Sequence, residues 1–180
     1  MSPPQNFPDK FIKGIWLKAF GRDRSPQLDA ALKEVGIDLT QPLLHSYPRS
    51  VWFPALQATA AQFFPGVAPE AALKQLGAKL IDGLEREGVF RGPAFSMVRF
   101  MGPKRILKDI GPRIGGLGLG IEQEVKEISS RELDIQLNED EGAPFVAGAL
   151  EKLVALMGGR SPSVDAGKGP MGCRLRVRWS

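Results

Sequence analysis

The segment 122–180 constrains the fold of this chain more than any other stretch. Leu133, Ile135 and Leu137 alternate with Asp134 and Gln136, and Cys173, Leu175, Val177 and Trp179 alternate with Arg174, Arg176 and Arg178. Side chains of an extended backbone point to opposite faces in turn, so each run offers one face to a core and one to water. Between the runs, Pro144 opens a stretch in which Phe145, Val146, Ala149, Leu150, Leu153, Val154 and Leu156 recur at helical spacing, and Gly158-Gly159 closes it. The pattern predicts strands over 122–129 and 132–137 joined by a turn at Ser129-Ser130, an amphipathic helix, a short strand over 163–166, a turn over 166–170 and a final strand. Asn138 to Gly142 reads as a solvated acidic loop.

The upstream part reads as helices. Residues 1–8 are expected to be a mobile lead-in. Asp9 starts a helix to about Phe20, with Ile12, Ile15, Trp16 and Ala19 on one face. Ser25-Pro26 is an N-cap followed by proline at the first helical position, and Gly36 is the stop. Ser50 is expected to cap a helix through Leu56, Ala60 and Phe64, which Pro65-Gly66 breaks. Pro69 opens the longest helix, to about Glu87, lined by Leu73, Leu76, Leu80, Ile81 and Leu84. Gly77 and Gly83 inside it cost about 1 kcal/mol each relative to Ala, which calls for close approach of another element. A helix over 94–101, a break at Gly102-Pro103, a basic helix over 104–110 and a glycine loop over 115–120 follow. The fold class is therefore α+β: an N-terminal helical layer (9–114) packed on a C-terminal antiparallel sheet (115–180) with one inserted amphipathic helix. No polar spacer separates the halves, so residues 9–180 are read as one domain.

Chemistry-bearing residues are few. The chain has one histidine, His45, and one cysteine, Cys173. An internal disulfide is excluded, which suits a reducing cytoplasm. No Gly-x-Ser-x-Gly elbow accompanies His45, and a structural zinc site needs about four ligands. No catalytic residue, no metal and no enzymatic activity are expected. One axial ligand suffices for haem, so His45 admits that cofactor; a surface histidine beside a turn is the simpler reading, and no cofactor is expected. The glycines at 115–120 lie between a helix and a strand, the wrong order for a dinucleotide loop. The N-terminus lacks a signal peptide's apolar stretch and no run approaches the ~18 apolar residues of a spanning helix, so a cytoplasmic protein without a membrane partner is expected.

Two groups of residues are candidates for binding. Trp16, His45, Tyr47, Arg49, Trp52 and Phe53 combine aromatic surface with a few polar groups, the composition of a ligand pocket; the competing reading is plain core. Arg99, Lys104, Arg105, Lys108 and Arg113, with Arg174, Arg176 and Arg178, could form a phosphate-binding face. The competing reading is a wet edge-strand face neutralised by acids on neighbouring strands. The net charge of +4 does not by itself imply nucleic acid. The expected partner is a small apolar or mixed ligand, a protein partner or a second copy of the chain, with nucleic acid ranked below.

Phe11-Ile12-Lys13-Gly14-Ile15, Tyr47-Pro48 with Trp52, Phe64-Pro65-Gly66, Leu76-Gly77, Met101-Gly102-Pro103-Lys104-Arg105 and the closing Val177-Arg178-Trp179 follow one order. In that order they resemble the myxobacterial paralogous family of unknown function, over about 9–180. That resemblance implies no activity and no catalytic residues. More loosely, Pro144, Gly148 and Leu150 on a helix between strand pairs, with Gly172-Cys173, resemble the vinyl-4-reductase-type ligand-binding domains. Their relatives include haem–nitric-oxide-binding sensors and vesicle-tethering subunits. The tyrosine-serine-arginine signature of the haem sensors has no match here. The resemblance implies a regulatory or sensory binding module, with a protein-interaction adaptor as the alternative.

Overall fold

The computed structural model describes residues 6–88, 90–91, 99–115, 123–138 and 141–180, with the helix over 109–115 given by its backbone. The elements run β1 (Asn6–Pro8), α1 (Asp9–Ile12), a π-helical segment (Lys13–Ala19), α2 (Pro26–Glu34), β2 (Ser46–Pro48), α3 (Trp52–Phe63), α4 (Pro69–Arg86), α5 (Gly102–Gly115), β3 (Gln123–Ser129), β4 (Glu132–Leu137), α6 (Ala143–Leu156), β5 (Ser163–Gly169) and β6 (Gly172–Arg178). The fold is α+β, with helices first and an antiparallel sheet last, as the patterning predicts.

The sheet has the order β3-β4-β6-β5. Leu133, Ile135 and Leu137 oppose Val177, Leu175 and Cys173 across β4 and β6. Together with Val164 and helix α6 they close a buried core. The chain passes through α6 and then lays β5 outside β6, so the last strand becomes an inner one. The reading of 173–179 as an edge strand is thereby corrected: alternation shows that one face is buried and is the same for an inner and an edge strand.

A second core fills the helical half around Phe7, Ile12, Trp16, Phe20, Leu28, Leu32, Leu56 and Leu76. Helix α6 belongs to both cores. Phe145 faces the helical one, while Ala147, Leu150 and Val154 face the sheet. The crossing of α4 over α6 is set by glycine. A Cβ on Gly77 would collide with the Phe145 carbonyl oxygen, and one on Gly148 with the Lys74 carbonyl oxygen. Gly83 stands in the same relation to the carbonyl of Ala19. The close approach expected of the glycines in α4 is thus found twice, and its physical cause is backbone-to-backbone packing.

Several local expectations change. The lead-in is ordered from Asn6, where β1 pairs antiparallel with β2. The sequence showed no partner for so short a strand, and Phe7 is buried by it. The first helix loosens to π after Ile12; the Phe20 N–H donates to the Ile15 carbonyl at 2.9 Å, five residues back. Ser25 does cap α2, its Oγ accepting from the Leu28 N–H at 3.2 Å, but Ser50 caps nothing and α3 begins after a 3₁₀ turn. Helix α5 starts at Gly102 and runs on to Gly115. The strand predicted over 163–166 extends to Gly169, and the hairpin turns at Pro170-Met171. Residues 94–98 of the helix predicted over 94–101, the glycines 116–120, the strand residue 122 and the acidic residues 139 and 140 lie outside the described residues.

Candidate functional site

The predicted aromatic group comes together as a joint between the two halves. Trp52 makes edge-to-face contacts with Phe7, Phe11, Trp16 and Phe145, at centroid distances of 5.5 to 6.2 Å. Trp16 has 0% of its surface exposed, and its indole N–H donates to Thr59 Oγ1 at 2.9 Å. Thr59 in turn donates to the Ala55 carbonyl at 2.6 Å, so the buried polar atoms are satisfied. Tyr47 is 2% exposed, stacks on Phe7, and its hydroxyl accepts from the Leu44 N–H at 3.2 Å. Phe53 packs against the same core. Arg49 donates to the carbonyl of Asn138 at 3.3 Å, tying β2 to the loop after β4. His45 is exposed and contributes its backbone carbonyl to the Asp9 N–H at 3.3 Å. Trp16, Tyr47, Trp52 and Phe53 thus join the core, while His45 and Arg49 sit at its edge, and none of the six lines either cleft found among the described residues.

The predicted basic group divides. Arg174, Arg176 and Arg178 stand on the sheet face away from the core, and each is matched by an acid one row along: Asp134, Glu132 and Asp165. Asp134 is 4% exposed and receives Arg174 Nε at 2.8 Å; that guanidinium holds its carboxyl below the usual range. On α5, Lys104 and Lys108 both reach Glu127 of β3, the second at 2.7 Å, and the Lys104 hydrogen bond leads in lowering the Glu127 pKa. Arg99 and Arg105 are exposed. Arg113 lies on α5, placed by its backbone.

Among the described residues, two clefts are found elsewhere. One, of about 360 Å³, is a trough along the α4–α6 crossing, lined by Lys74, Gln75, Glu151 and Lys152 among others. Its charges are already matched. Glu151 accepts from Lys74 at 2.7 Å and from the Val164 N–H of β5 at 2.8 Å, and Lys152 meets Asp82 at 2.7 Å. The other, of about 290 Å³, lies between α3 and α4. Ala60, Ala61 and Ala72 hollow it out, Phe64, Pro65, Val67 and Leu73 form apolar walls, and Gln57 is its one polar side chain. Its size sits at the low end of ligand clefts, which span roughly 300–1,000 Å³ and are mostly apolar with few polar groups. The sequence signal for it was the alanine run Ala58-Thr59-Ala60-Ala61 ending in Phe64-Pro65-Gly66, where small residues on a helix face leave room beside a break.

Solved structures place this arrangement in a known class: the fold is that of H-NOX domains. A crystal structure of an Fe(II) unliganded H-NOX protein mutant from K. algicida is 13% identical, covers 94% of each chain and has a TM-score of 0.62. A structure described as "Probing the function of heme distortion in the H-NOX family" is 12% identical, covers 94% of each chain and scores 0.62. An oxygen-binding H-NOX domain related to soluble guanylate cyclases, as its oxygen complex, is 14% identical over 93% of this chain and 92% of its own, with a TM-score of 0.61. None of the curated proteins compared with the chain matches it. The chain belongs to the family described as "Protein of unknown function (DUF2378)", whose model matches residues 6–180.

The expectation of no cofactor is corrected by these findings. Structures with this fold are H-NOX domains, one of them described by its heme, so haem stands among the cofactors of the fold. The described residues, however, do not fit an axially ligated haem. Axial ligands come from His, Cys, Met or Tyr. His45 and Met101 are exposed, Tyr47 is stacked in the aromatic joint, Cys173 lies in the sheet core, Met157 packs with Ile106 and Leu153, and Met171 sits in the turn between β5 and β6. None of these six lines either cleft. Among the described residues no group of three or more His, Cys, Asp or Glu could hold a metal ion. No described helix is long and apolar enough to cross a membrane.

Proposed function

We propose that this chain is a non-catalytic sensory domain that binds a small, largely apolar molecule in the α3–α4 groove. The observation that carries this reading is an H-NOX fold over 94% of the chain combined with an apolar groove in its helical half. The matched H-NOX domains include one described as binding oxygen and another described through activation, which is the vocabulary of sensing. A ligand in the groove touches Leu73 and Ala72 on α4, and α4 is clamped to α6 through Gly77 and Gly148. Side chains packed against a rigid glycine crossing pass small shifts onward, because packed cores resist continuous deformation. Occupancy of the groove would thus be felt by the sheet through α6.

The test is a fluorescence titration with an apolar reporter such as N-phenylnaphthylamine, beside a haem titration followed by absorbance. The reading expects saturable one-to-one binding of the reporter and its loss in Ala61→Trp, an exposed position where indole fills the groove. A saturating ligand at about a hundred times its Kd adds about 2.7 kcal/mol of stability, visible as a higher Tm in the native protein and not in the variant. Absent saturation, reporter binding indifferent to Ala61→Trp, or stoichiometric haem binding indifferent to it would each overturn the groove as the ligand site.

A further inference from the structure

The residues leading into α5 carry an unusual surface. Phe100 is 95% exposed and Met101 is 40% exposed, side by side. An aromatic side chain left almost wholly in water is the exception on a folded surface, and exposed apolar patches rimmed by polar groups mark interaction sites. The rim here is basic. Residues 99–108 contain Arg99, Lys104, Arg105 and Lys108 and no acid. Lys104, Arg105 and Lys108 fall on one side of α5, while Ile106 and Leu107 turn inward and are buried. The facing acid, Glu127, binds both lysines, which keeps their ammonium groups on this side of the molecule. Arg99 and Arg105 are exposed and have no ion-pair partner among the described residues.

We propose that this patch docks the protein peripherally on an anionic lipid bilayer, with Phe100 and Met101 entering the interfacial zone and the four bases meeting the headgroups. Charge complementarity selects an anionic partner. Lys104, Arg105 and Lys108 on the amphipathic α5 and Arg99 just before it outnumber the one facing acid, Glu127, and such a basic cluster suits anionic headgroups, while protruding Phe beside basic residues suits the headgroup–acyl boundary. The choice of a bilayer over a nucleic acid rests on Met101. Stacking on bases needs a flat aromatic face, which methionine lacks, whereas a thioether chain enters the acyl boundary readily. The inward lock of Ile106 and Leu107 means that the helix stays docked on β3 and only its first turn touches lipid. That no described helix is long and apolar enough to cross a membrane bears on crossing, not on this surface contact.

Vesicle co-sedimentation of the whole chain tests the proposal. Phosphatidylcholine vesicles are compared with vesicles containing about one third phosphatidylglycerol, at about 50 mM salt and again at high salt. The expected result is binding to the anionic vesicles at least about tenfold above the neutral ones, released by salt. Phe100→Ser and the double variant Arg99→Glu with Arg105→Glu should each lower it about tenfold or more. All three positions are exposed, and unchanged thermal melts confirm that the variants fold. Equal binding to both vesicles, no binding to either, or binding indifferent to both variants overturns the proposal. So does oligothymidine binding, or self-association by light scattering, that the same variants abolish while vesicles are ignored.

Discussion

The two halves of this molecule build their cores by different means. In the sheet half, burial follows from alternation alone: Leu133, Ile135, Leu137, Cys173, Leu175 and Val177 turn inward because every second residue of a strand must. In the helical half, the core depends on tight geometry. Aromatic edges meet around Trp52, a π-turn displaces Trp16 and Phe20, and helix backbones touch at Gly77, Gly83 and Gly148. The first kind tolerates substitution by size; the second fails when an atom is added. The charged faces differ as well. The outer sheet face pairs each arginine with an acid, whereas the start of α5 leaves Arg99 and Arg105 in the open.

The largest effect should come from the joint between the halves. Gly77→Ala or Gly148→Ala places a Cβ against a helix carbonyl, so α4 and α6 must move apart; overpacking of this kind costs about 3 kcal/mol. Urea unfolding measures it, and a loss under about 0.5 kcal/mol would show that the crossing is slack. Gly167→Ala, which meets nothing within 4 Å, should change stability by less than about 0.5 kcal/mol.

Leu175→Ala empties the middle of the sheet core and should cost about 2–3 kcal/mol, toward the lower end for such truncations because the hole lies among many small aliphatic chains. The same unfolding experiment ranks it below the glycine variants if the two halves differ as described. Trp16→Phe keeps an aromatic ring but removes the donor to Thr59 and should cost about 1–2 kcal/mol. Adding Thr59→Val in a double-mutant cycle should leave the pair non-additive.

The smallest effect concerns the outer sheet face. The Asp134 pKa is lowered in the fold, first by the Arg174 hydrogen bond, and Asp23 is lowered first by Arg86. A carboxyl with a depressed native pKa binds its proton less readily when folded, so its stabilisation is present above about pH 4 and is lost as pH falls through the native value. Asp38, held at about 2 by Thr40 and Lys33, behaves in the same sense. Urea midpoints should therefore drop on acidification, and Asp134→Asn should make that drop shallower; an unchanged pH profile would mean that the arginine ladder contributes nothing.

Legibility in the sequence followed the same division. The strands β4 and β6, the helix α6 and the cap at Ser25 were readable because period, proline and glycine state them locally. The glycines in α4 announced a close contact but not its partner. The stretch 45–53 left two readings open for a physical reason: aromatic side chains with one polar neighbour have the same composition in a pocket as in a core, and only packing distinguishes them. Trp16 and Tyr47 are buried and Trp52 packs against them, partly exposed, while the groove lies where alanines leave space. The pairing of β1 with β2 was invisible because three-residue strands carry no period.

By itself the sequence determined the fold class, the inward faces of β4 and β6 and the amphipathic character of α6, since each is a property of local spacing. Tertiary structure alone decided that β5 lies outside β6, that α6 serves two cores, that Arg174, Arg176 and Arg178 find Asp134, Glu132 and Asp165, and that Phe100 is left uncovered. Those outcomes depend on which distant residues arrive beside one another, and no local period encodes distance across a fold.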